Sequence, residues 1–552
     1  MRMISFKCQL AIVASLFTIV ANASISTAVR RKSILMSGWD LLHVTTADVY
    51  RNRAKFAATG ADGAILPIDG KREDGSFICG YWPMNGKGWK DEHFAETRHQ
   101  LAQITAESGL RESFALSLWT PKKRLDWTDD ASWSAFAENI AVLARTARAG
   151  GLRGFVIDNE DYSKTKQFSW VDGDPEQKVL LSIVRRRGRE VFSRLYREFP
   201  DAVVLAYYLF SNSRVTFGSA YPAAVNIAKG DLWATFLNGL LDVAPRNARI
   251  VDGCELYGYN RAIVANDDFK KSADEVRYGL AQFVSNSNRD KYAETLSVGM
   301  GQYIDPYVKN TNTVDECYGP LDGSSVRRFR SHLVHAMKAV DEYVWIYGER
   351  CTWIDWDDKK GDKVLMSPTW ETVMPGLAEM FRSIKGEAVH VRLGDMDLVN
   401  VISNSDCDPK QGQTLPFPTW RGKSSMPNPF AYEPALGASK PGCLKLTGAG
   451  LFSVDACGFK PGDRIVVKAK AMGCAANLHY IWSSKGKRQW GEEGDIGPCS
   501  PMGEGEWTEL AAVLEVPDIG EDIDGINIQL VGVYATPEHP LYYDDIQVLK
   551  RR

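Results

Sequence analysis

Short apolar runs alternate with longer amphipathic stretches over the first two thirds of the chain. The runs are rich in β-branched and aromatic residues and predict strands at 34–36, 63–67, 114–119, 154–157, 203–210, 250–256, 296–302 and 343–347. Apolar residues at helical spacing between them predict helices at 47–58, 95–108, 132–149, 178–198, 232–243, 269–285, 325–341 and 368–383. Pro375 falls inside the last of these and disfavours a continuous helix there.

Eight strand–helix units over residues 33–385 predict an α/β fold, a (β/α)8 TIM barrel with a parallel sheet. The alternative is an open doubly wound sheet. That fold would place a glycine-rich phosphate turn after the first strand. Ser37-Gly38-Trp39-Asp40 is not such a turn, so the barrel is favoured.

The composition changes after the last predicted helix. Residues 386–396 predict a linker, and 397–552 predict an all-β sandwich with strands at 443–446, 464–471, 507–516, 526–530 and 542–548. Alternation of apolar and polar residues in these runs favours antiparallel sheets. Cys443, Cys457, Cys474 and Cys499 cluster in this region, where we expect one or two disulfide bridges.

The N-terminus has the three parts of a secretory signal peptide. Arg2 and Lys7 precede an apolar segment, and Ala21-Asn22-Ala23 supplies a small-residue cleavage site. Residues 1–23 are therefore predicted to be a signal peptide, and the mature protein to be secreted or periplasmic.

Charge and hydropathy narrow the possible partners. The net charge is −3, so there is no global basic field to attract nucleic acid. No later segment is long and apolar enough for membrane insertion. His332 and His335 are three residues apart without an adjacent acid, so no metal site is predicted there.

The fourth predicted strand ends in acids. Asp158 and Glu160 are two residues apart, so on an extended strand both side chains point to the same face. Two carboxylates sharing one small volume cannot both ionise freely, and one pKa rises as a general acid near neutral pH requires. The alternative is an acid-rich turn that caps the next helix.

Carboxylates and aromatic rings recur at the same end of nearly every predicted strand. In a parallel barrel this end carries the chemistry, and buried acids without a function are costly. Acids that bind hydroxyls and rings that stack on pyranose faces predict a carbohydrate site. The candidate substrate-binding residues are Trp39, Asp40, Asp69, Trp119, Tyr162, Tyr208, Tyr257, Gln302, Trp345 and Trp353.

The predicted barrel resembles the TIM-barrel glycoside hydrolases. Val156-Ile157-Asp158-Asn159-Glu160 is similar to the strand-four motif of chitinase-like, family 18 type enzymes. The resemblance implies that Glu160 is the general acid and that Asp158 orients the acetamido group of the substrate. The family usually has another Asp two positions earlier, where this chain has Val156.

A mechanism without substrate assistance needs two separate carboxylates, an acid and a nucleophile or base. Glu160 is then the acid, with Glu349 or Glu255 opposite it. The expected function is that of a secreted glycoside hydrolase acting on a poly- or oligosaccharide. The alternatives are a non-catalytic carbohydrate-binding protein on the same barrel and a polysaccharide lyase.

The last quarter of the chain resembles the β-jelly-roll modules of the carbohydrate-binding type. The resemblance rests on Pro461-Gly462-Asp463, Trp507, Val516-Pro517 and Asp544-Asp545-Ile546. It implies a saccharide-binding accessory domain. Carboxylate oxygens suit calcium, so Asp544 and Asp545 are candidates for a structural calcium site, the alternative being a solvated strand end. No cofactor is otherwise expected.

Overall fold

The computed structural model describes residues 32–84, 88–211, 230–255, 259, 266–308, 318–358, 361–387, 398–402, 404–421, 428–473, 476–499, 507–519, 522–532 and 535–551. The predicted signal peptide at 1–23 lies outside these residues, as does Tyr257. Of the predicted linker, 388–396 lies outside them too.

A parallel sheet lies at the centre of the N-terminal region, residues 33–348. The strands in chain order are β1 Ser33–Gly38, β2 Gly63–Pro67, β3 Asp69–Lys71, β4 Phe77–Cys79, β5 Phe114–Leu118, β6 Gly154–Asp158, β7 Val203–Ala206, β8 Arg249–Asp252, β9 Leu296–Val298, β10 Met300–Tyr303 and β11 Tyr343–Gly348. β3 and β4 form a separate hairpin, and the other nine pair in the order β10-β11-β1-β2-β5-β6-β7-β8-β9. Only Gly299 separates β9 from β10, so the two ends of the sheet meet in a nearly closed barrel. The predicted α/β barrel is confirmed.

Helices surround this sheet. They are α1 Trp39–Leu42, α2 Thr46–Phe56, α3 Ala95–Ile104, α4 Asp130–Ala149, α5 Gln177–Glu198, α6 Trp233–Val243, α7 Asn266–Asp274, α8 Arg289–Thr295, α9 Ser325–Ala339, α10 Trp370–Val373 and α11 Leu377–Glu387. Their starts follow local rules: Thr45 and Asp48 form a capping box on α2, and Asp129 caps α4. Within the described ranges, no helix combines the length and apolarity needed to cross a bilayer.

Two predicted helices are interrupted. The stretch predicted at 269–285 ends as an α-helix at Asp274 and continues as a π-helical turn, Glu275–Gly279, and a 3₁₀ turn, Leu280–Phe283. The stretch predicted at 368–383 breaks between α10 and α11, where Pro375 cannot donate a backbone hydrogen bond and Gly376 has a φ of 90°.

Alternation along the strands divides the apolar side chains into two layers. Val156 of β6 belongs to the cluster inside the barrel, whereas Phe155 and Ile157 pack outward against the helices. The interior cluster consists of Leu35, Ile65, Phe114, Leu116, Val156, Val203, Leu205, Tyr207, Val251, Tyr343 and Trp345. The barrel interior is thus a packed core.

Antiparallel strands make up the C-terminal region. They are β12 Leu398–Asn400, β13 Thr419–Trp420, β14 Phe430–Glu433, β15 Cys443–Leu446, β16 Leu451–Cys457, β17 Arg464–Gly473, β18 Ala476–Ser484, β19 Lys487–Cys499, β20 Thr508–Glu515, β21 Gly525–Val531 and β22 Leu541–Arg551. One sheet has the order β14-β15-β22-β17-β20 with β12 paired to β22, and the other has the order β13-β16-β21-β18-β19. Side chains of both sheets share one apolar core. The expected antiparallel sandwich is confirmed.

The cysteines of the sandwich differ from expectation. Cys443 and Cys457 are unpaired, so neither takes part in the expected bridges. Their positions explain why: they lie on the separate strands β15 and β16, and the neighbours of these strands in the sheets offer no second cysteine in the paired positions. Cys474 lies outside the described residues.

Candidate functional site

Three carboxylates converge at the C-terminal mouth of the barrel. Asp158 is the last residue of β6 and points inward, because it has the same parity as Val156. Glu160 follows two residues later, and Glu255 follows the end of β8 by three residues. The charges of Glu160 and Asp158 both raise the pKa of Glu255, so the three groups form one electrostatic cluster, called here the carboxylate trio.

Asp158 is held by two hydrogen bonds. The hydroxyl of Tyr81 donates to Oδ2 at 2.9 Å, and the backbone N–H of Glu160 donates to Oδ1 at 3.0 Å. Burial nevertheless raises the pKa of Asp158 to about 7, because desolvation outweighs these bonds and the charge of Glu160 adds to it. Asp158 therefore exchanges a proton near neutral pH.

Glu160 is half-buried at the rim of the mouth. Burial raises the pKa of its carboxyl, and a hydrogen bond from the Tyr162 hydroxyl partly offsets that rise. The Tyr162 side chain is otherwise open to solvent, with 87% of the residue exposed. Glu160 thus combines a proton held more tightly than usual with access from solution, as a general acid requires.

A left-handed turn directs Glu255 into the mouth. Cys254 has a φ of 49°, a conformation that non-glycine residues rarely adopt, and its N–H donates to Oδ1 of Asp252 at 3.1 Å. The N–H of Glu255 donates to the carbonyl of Tyr207 at 3.2 Å. Burial, and then the charges of Glu160 and Asp158, raise the pKa of Glu255 well above its ordinary value. Its Oε2 has no hydrogen-bond partner among the described residues.

Aromatic rings form the floor of the mouth. Tyr207 stacks on Trp345 with ring centroids 4.2 Å apart, and the indole N–H of Trp345 donates to the carbonyl of Gly253 at 2.9 Å. Gly301 of β10 is paired with Trp345 in the sheet, and a Cβ there would stand only 2.7 Å from the indole. Burial raises the pKa of Tyr208, with the charges of Glu255 and Glu160 adding to it. The phenols of the mouth are therefore neutral hydrogen-bond donors.

Three tyrosines line another part of the mouth. The ring of Tyr259 is stacked against Tyr303 at 5.3 Å, and Tyr303 against Tyr347 at 6.0 Å. Glu349 belongs to this wall: its N–H donates to Oδ1 of Asp305 at 3.0 Å, and its charge raises the pKa of Tyr347. Among the described groups that shift the pKa values of the carboxylate trio, Glu349 is absent. The charges that act on Glu255 are thus those of Glu160 and Asp158, so we group Glu255, and not Glu349, with Glu160.

Two predicted substrate-binding residues face away from the mouth. Trp119 is fully buried between sheet and helices, in contact with Phe136 and Phe192, and its indole N–H donates to the hydroxyl of Ser117 at 2.9 Å. Gln302 is buried with the same parity as Met300, which packs on the helix side of the sheet. These positions do not support a role in binding substrate.

Three others support the loops of the rim. Oδ2 of the fully buried Asp40 accepts hydrogen bonds from the backbone N–H of Trp353 at 2.8 Å and from the indole of Trp356 at 3.3 Å. The Trp353 indole donates to the carbonyl of Ser37 at 2.9 Å. Asp69 accepts from the N–H of Thr46 at 2.6 Å, where α2 begins. Trp39 remains available at the rim, with 43% of the residue exposed.

Tyr81 also belongs to the mouth, although the sequence pattern did not indicate it. It follows the β3–β4 hairpin, and its carbonyl accepts from the N–H of Leu118 at 2.7 Å, which fixes it beside the end of β5. The aromatic pair Tyr81-Trp82 before Pro83 was the available signal. The predicted site residues were taken from the ends of the barrel strands, whereas Tyr81 follows a hairpin inserted between β2 and α3.

The expected calcium site has other partners in this structure. Oδ2 of Asp544 accepts the N–H of Ala438 at 2.7 Å, and Asp545 forms an ion pair with Lys470 at 2.6 Å. Over the described ranges, His, Cys, Asp and Glu side chains nowhere gather in a group of three that could hold a metal ion. Lys470 thus neutralises Asp545, and calcium binding by Asp544 and Asp545 stays a prediction.

Comparisons with known proteins give likenesses of limited extent. No family model matches the chain, and no curated protein matches its sequence. Among solved structures, the enzymatically active domain of tailspike protein 4 of bacteriophage CBA120 is 12% identical with a TM-score of 0.22, over 27% of this chain and 21% of that one. TmCBM61 in complex with β-1,4-galactotriose is 11% identical with a TM-score of 0.20, over 28% of this chain and 99% of that one. An apo cyclase from Fischerella sp. is 8% identical with a TM-score of 0.23, over 28% of this chain and 97% of that one.

Proposed function

We propose that this protein is a glycoside hydrolase that cleaves a poly- or oligosaccharide, with Glu160 as the general acid. The observation that carries the proposal is the convergence of Asp158, Glu160 and Glu255 at the mouth of the barrel. Each of the three has a raised pKa, mainly through burial. A carboxyl group whose pKa is raised holds its proton to higher pH and can donate it to a glycosidic oxygen.

Glu160 suits the role of the acid better than its neighbours do. It is half-buried, whereas Asp158 and Glu255 are 9% and 7% exposed. Glu160 is therefore the member of the carboxylate trio that is most accessible to a large substrate. Asp158 lies directly behind it and accepts the Glu160 N–H, so it is suited to position the acid and to share its proton.

Glu255 is the partner that the geometry favours for a mechanism with two carboxylates. A separation of about 5–5.5 Å between the carboxyl groups corresponds to retention and about 6.5–9.5 Å to inversion of configuration. In the alternative mechanism, Asp158 orients an acetamido group of the substrate and Glu255 acts through the electrostatics of the site. The two mechanisms differ in whether Glu255 is essential on substrates that carry that group.

The aromatic lining supports a sugar as the ligand. Tyr207 stacks on the fully buried Trp345 at the floor, and Trp39 supplies an exposed ring at the rim. Sugars present C–H faces that pack on such rings and hydroxyls that bind carboxylates and phenols. The predicted signal peptide is consistent with action on saccharides outside the cytoplasm. The sandwich is proposed to contribute saccharide binding.

The decisive experiment compares the full-length protein with two variants. The wild type is incubated with a panel of polysaccharides, and reducing ends are measured. We expect release by the wild type, loss in Glu160→Gln, and retention in Glu349→Gln, a matched change on the tyrosine wall. Binding without release in the wild type would indicate a carbohydrate-binding protein. An unsaturated product absorbing in the ultraviolet would indicate a lyase.

A further inference from the structure

The sandwich is attached to the barrel by a buried ion pair. Nη1 of Arg289, at the start of α8, lies 2.7 Å from Oε2 of Glu509 in β20. The two side chains are only 14% and 10% exposed. Breaking a buried pair leaves one uncompensated charge and is strongly destabilising, unlike the loss of a surface pair. This contact therefore disfavours separation of the two parts.

A second set of contacts runs from the sandwich to a barrel strand. Nη1 of Arg464 lies 3.5 Å from Oδ2 of Asp274, at the end of α7. The guanidinium of Arg277 lies between Asp274 and Asp341, 3.0 Å from the latter. Oδ2 of Asp341 accepts the N–H of Val298 in β9 at 2.7 Å. A continuous series of buried polar contacts thus joins the sandwich to the barrel wall.

The same interface covers the edge strand β20 of the sandwich, which would otherwise be exposed to solvent. β20 is the last strand of its sheet, and one of its edges would present unpaired backbone groups to solvent. Here β20 packs against the π-helical and 3₁₀ turns after α7, and Asn286 donates a hydrogen bond to the carbonyl of Trp507 just before it. Uncovered edges promote aggregation, and proteins cover them with other elements. The barrel performs that role for this sheet.

The contacted barrel segment is the crossover that connects β8 to β9. Glu255 lies near its start, and α7, the two turns and α8 follow. The crossover therefore has a member of the carboxylate trio near its start, and the sandwich packs on the turns Glu275–Gly279 and Leu280–Phe283 and on the start of α8. Its helical geometry is irregular at Glu275–Gly279, where π-helical bonds replace the α-helical ones.

We propose that the C-terminal sandwich is a permanent brace of the β8–β9 crossover and thereby positions Glu255. This role goes beyond that of an accessory saccharide-binding module. The bracing itself is independent of the proposed hydrolase activity. Only its consequence for Glu255 rests on that proposed function.

The test uses the full-length chain and charge variants of the interface. Arg289→Glu places two acids together at the interface, Glu509→Gln removes one charge with little change of shape, and Arg289→Glu with Glu509→Arg restores an opposite pair. Arg246→Glu is the matched control, because Arg246 lies before the barrel strand β8 and pairs with Glu294 of α8 at the surface, with side chains 75% and 46% exposed.

We expect calorimetry of the wild type and of Arg246→Glu to give one cooperative unfolding transition, and Arg289→Glu to give two. Amide exchange over 266–289 should accelerate by about tenfold or more in Arg289→Glu and Glu509→Gln, and return toward wild type in the double variant. With hydrolysis as the readout, kcat should fall in Arg289→Glu below its unfolding temperature while KM changes little.

One transition and unchanged exchange in both single variants would overturn the brace. If Arg289→Glu does not fold, exchange in Glu509→Gln decides the question. If the brace holds but kcat in Glu509→Gln equals that of the wild type, the link to Glu255 is wrong. If the wild type hydrolyses no saccharide, the proposed function fails, and calorimetry and exchange still decide the brace.

Discussion

The hydroxyl of Tyr81 donates a 2.9 Å hydrogen bond to Oδ2 of Asp158 across 77 residues of sequence. The bond connects the hairpin insertion after β2 to the end of β6. Two segments that are distant in sequence therefore hold the Asp158 carboxylate in position. Hydrogen bonding to the ionised form favours that form. Tyr81 therefore limits how far burial can raise the pKa of Asp158.

Replacing Tyr81 with Phe should raise the pKa of Asp158 further above 7, because the bond that stabilises its ionised form is lost. The measurement is an NMR titration of labelled aspartate carboxyl groups in the full-length protein. Tyr162→Phe is the control, since Tyr162 bonds to Glu160 and not to Asp158. An unchanged pKa of Asp158 in Tyr81→Phe would show that the hydrogen bond does not stabilise the ionised carboxylate.

Glu160→Gln should lower kcat by about 10²–10⁴-fold, the usual contribution of a general acid. Substrate binding should persist, because the floor and the rim rings are untouched. Stopped-assay rates give kcat, and calorimetric titration of the same saccharide gives affinity. Equal losses of binding and rate would instead assign Glu160 to substrate binding.

Glu255→Gln and Glu349→Gln form a matched pair. Glu255 belongs to the carboxylate trio and Glu349 to the tyrosine wall, so we expect a large fall in kcat for the first and a small one for the second. The comparison uses one neutral and one acetamido-bearing oligosaccharide. Retained activity of Glu255→Gln on the acetamido substrate alone would favour substrate assistance, and a greater loss in Glu349→Gln would contradict the assignment.

The free energy of unfolding should fall as pH rises from about 4 to about 7. Asp158 keeps its proton in the folded state up to about pH 7, whereas the unfolded chain loses it near the ordinary value of 3.8. Its stabilising contribution is therefore complete below pH 3.8 and lost as pH approaches 7, by roughly 4 kcal/mol at most. Denaturant titrations at several pH values should show a shallower slope in Asp158→Asn. Parallel slopes would contradict the raised pKa.

Trp119→Ala and Trp39→Ala distinguish a tryptophan of the protein core from a tryptophan at the rim of the mouth. Trp119 is fully buried, so its truncation should destabilise the fold by about 3–5 kcal/mol. Trp39 is 43% exposed, and its truncation should raise KM and change stability by less than about 0.5 kcal/mol. Chemical denaturation and saccharide kinetics on both variants test this. A binding defect in folded Trp119→Ala would return Trp119 to the site.

The periodic pattern was sufficient to predict the barrel and the sandwich, since burial on alternate positions leaves a direct trace in sequence. It also located Asp158 and Glu160, because both follow a buried strand. The pattern did not indicate toward which face of the sheet each residue at a strand end points. Trp119 shares the outward parity of Ser117, and Gln302 shares that of Met300, so a strand-end residue is not automatically a mouth residue.

Contacts between distant segments could not be read from the pattern. Nothing local to Tyr81 indicates that its hydroxyl meets Asp158, and nothing local to Glu509 indicates a partner in α8. Asp40 was predicted to bind substrate, but it accepts the N–H of Trp353, which is 313 residues away in sequence. Such contacts depend on how the elements pack and not on their own periodicity.

Gly301 allows the aromatic rings of the barrel interior to pack as closely as they do. A methyl group at this position would stand 2.7 Å from the indole of Trp345, so the indole or the strand would have to move. Tyr207 is stacked on that indole, and a displaced indole would disturb this contact as well. Gly301→Ala would therefore alter the packing of both rings, although Gly301 itself has no side chain.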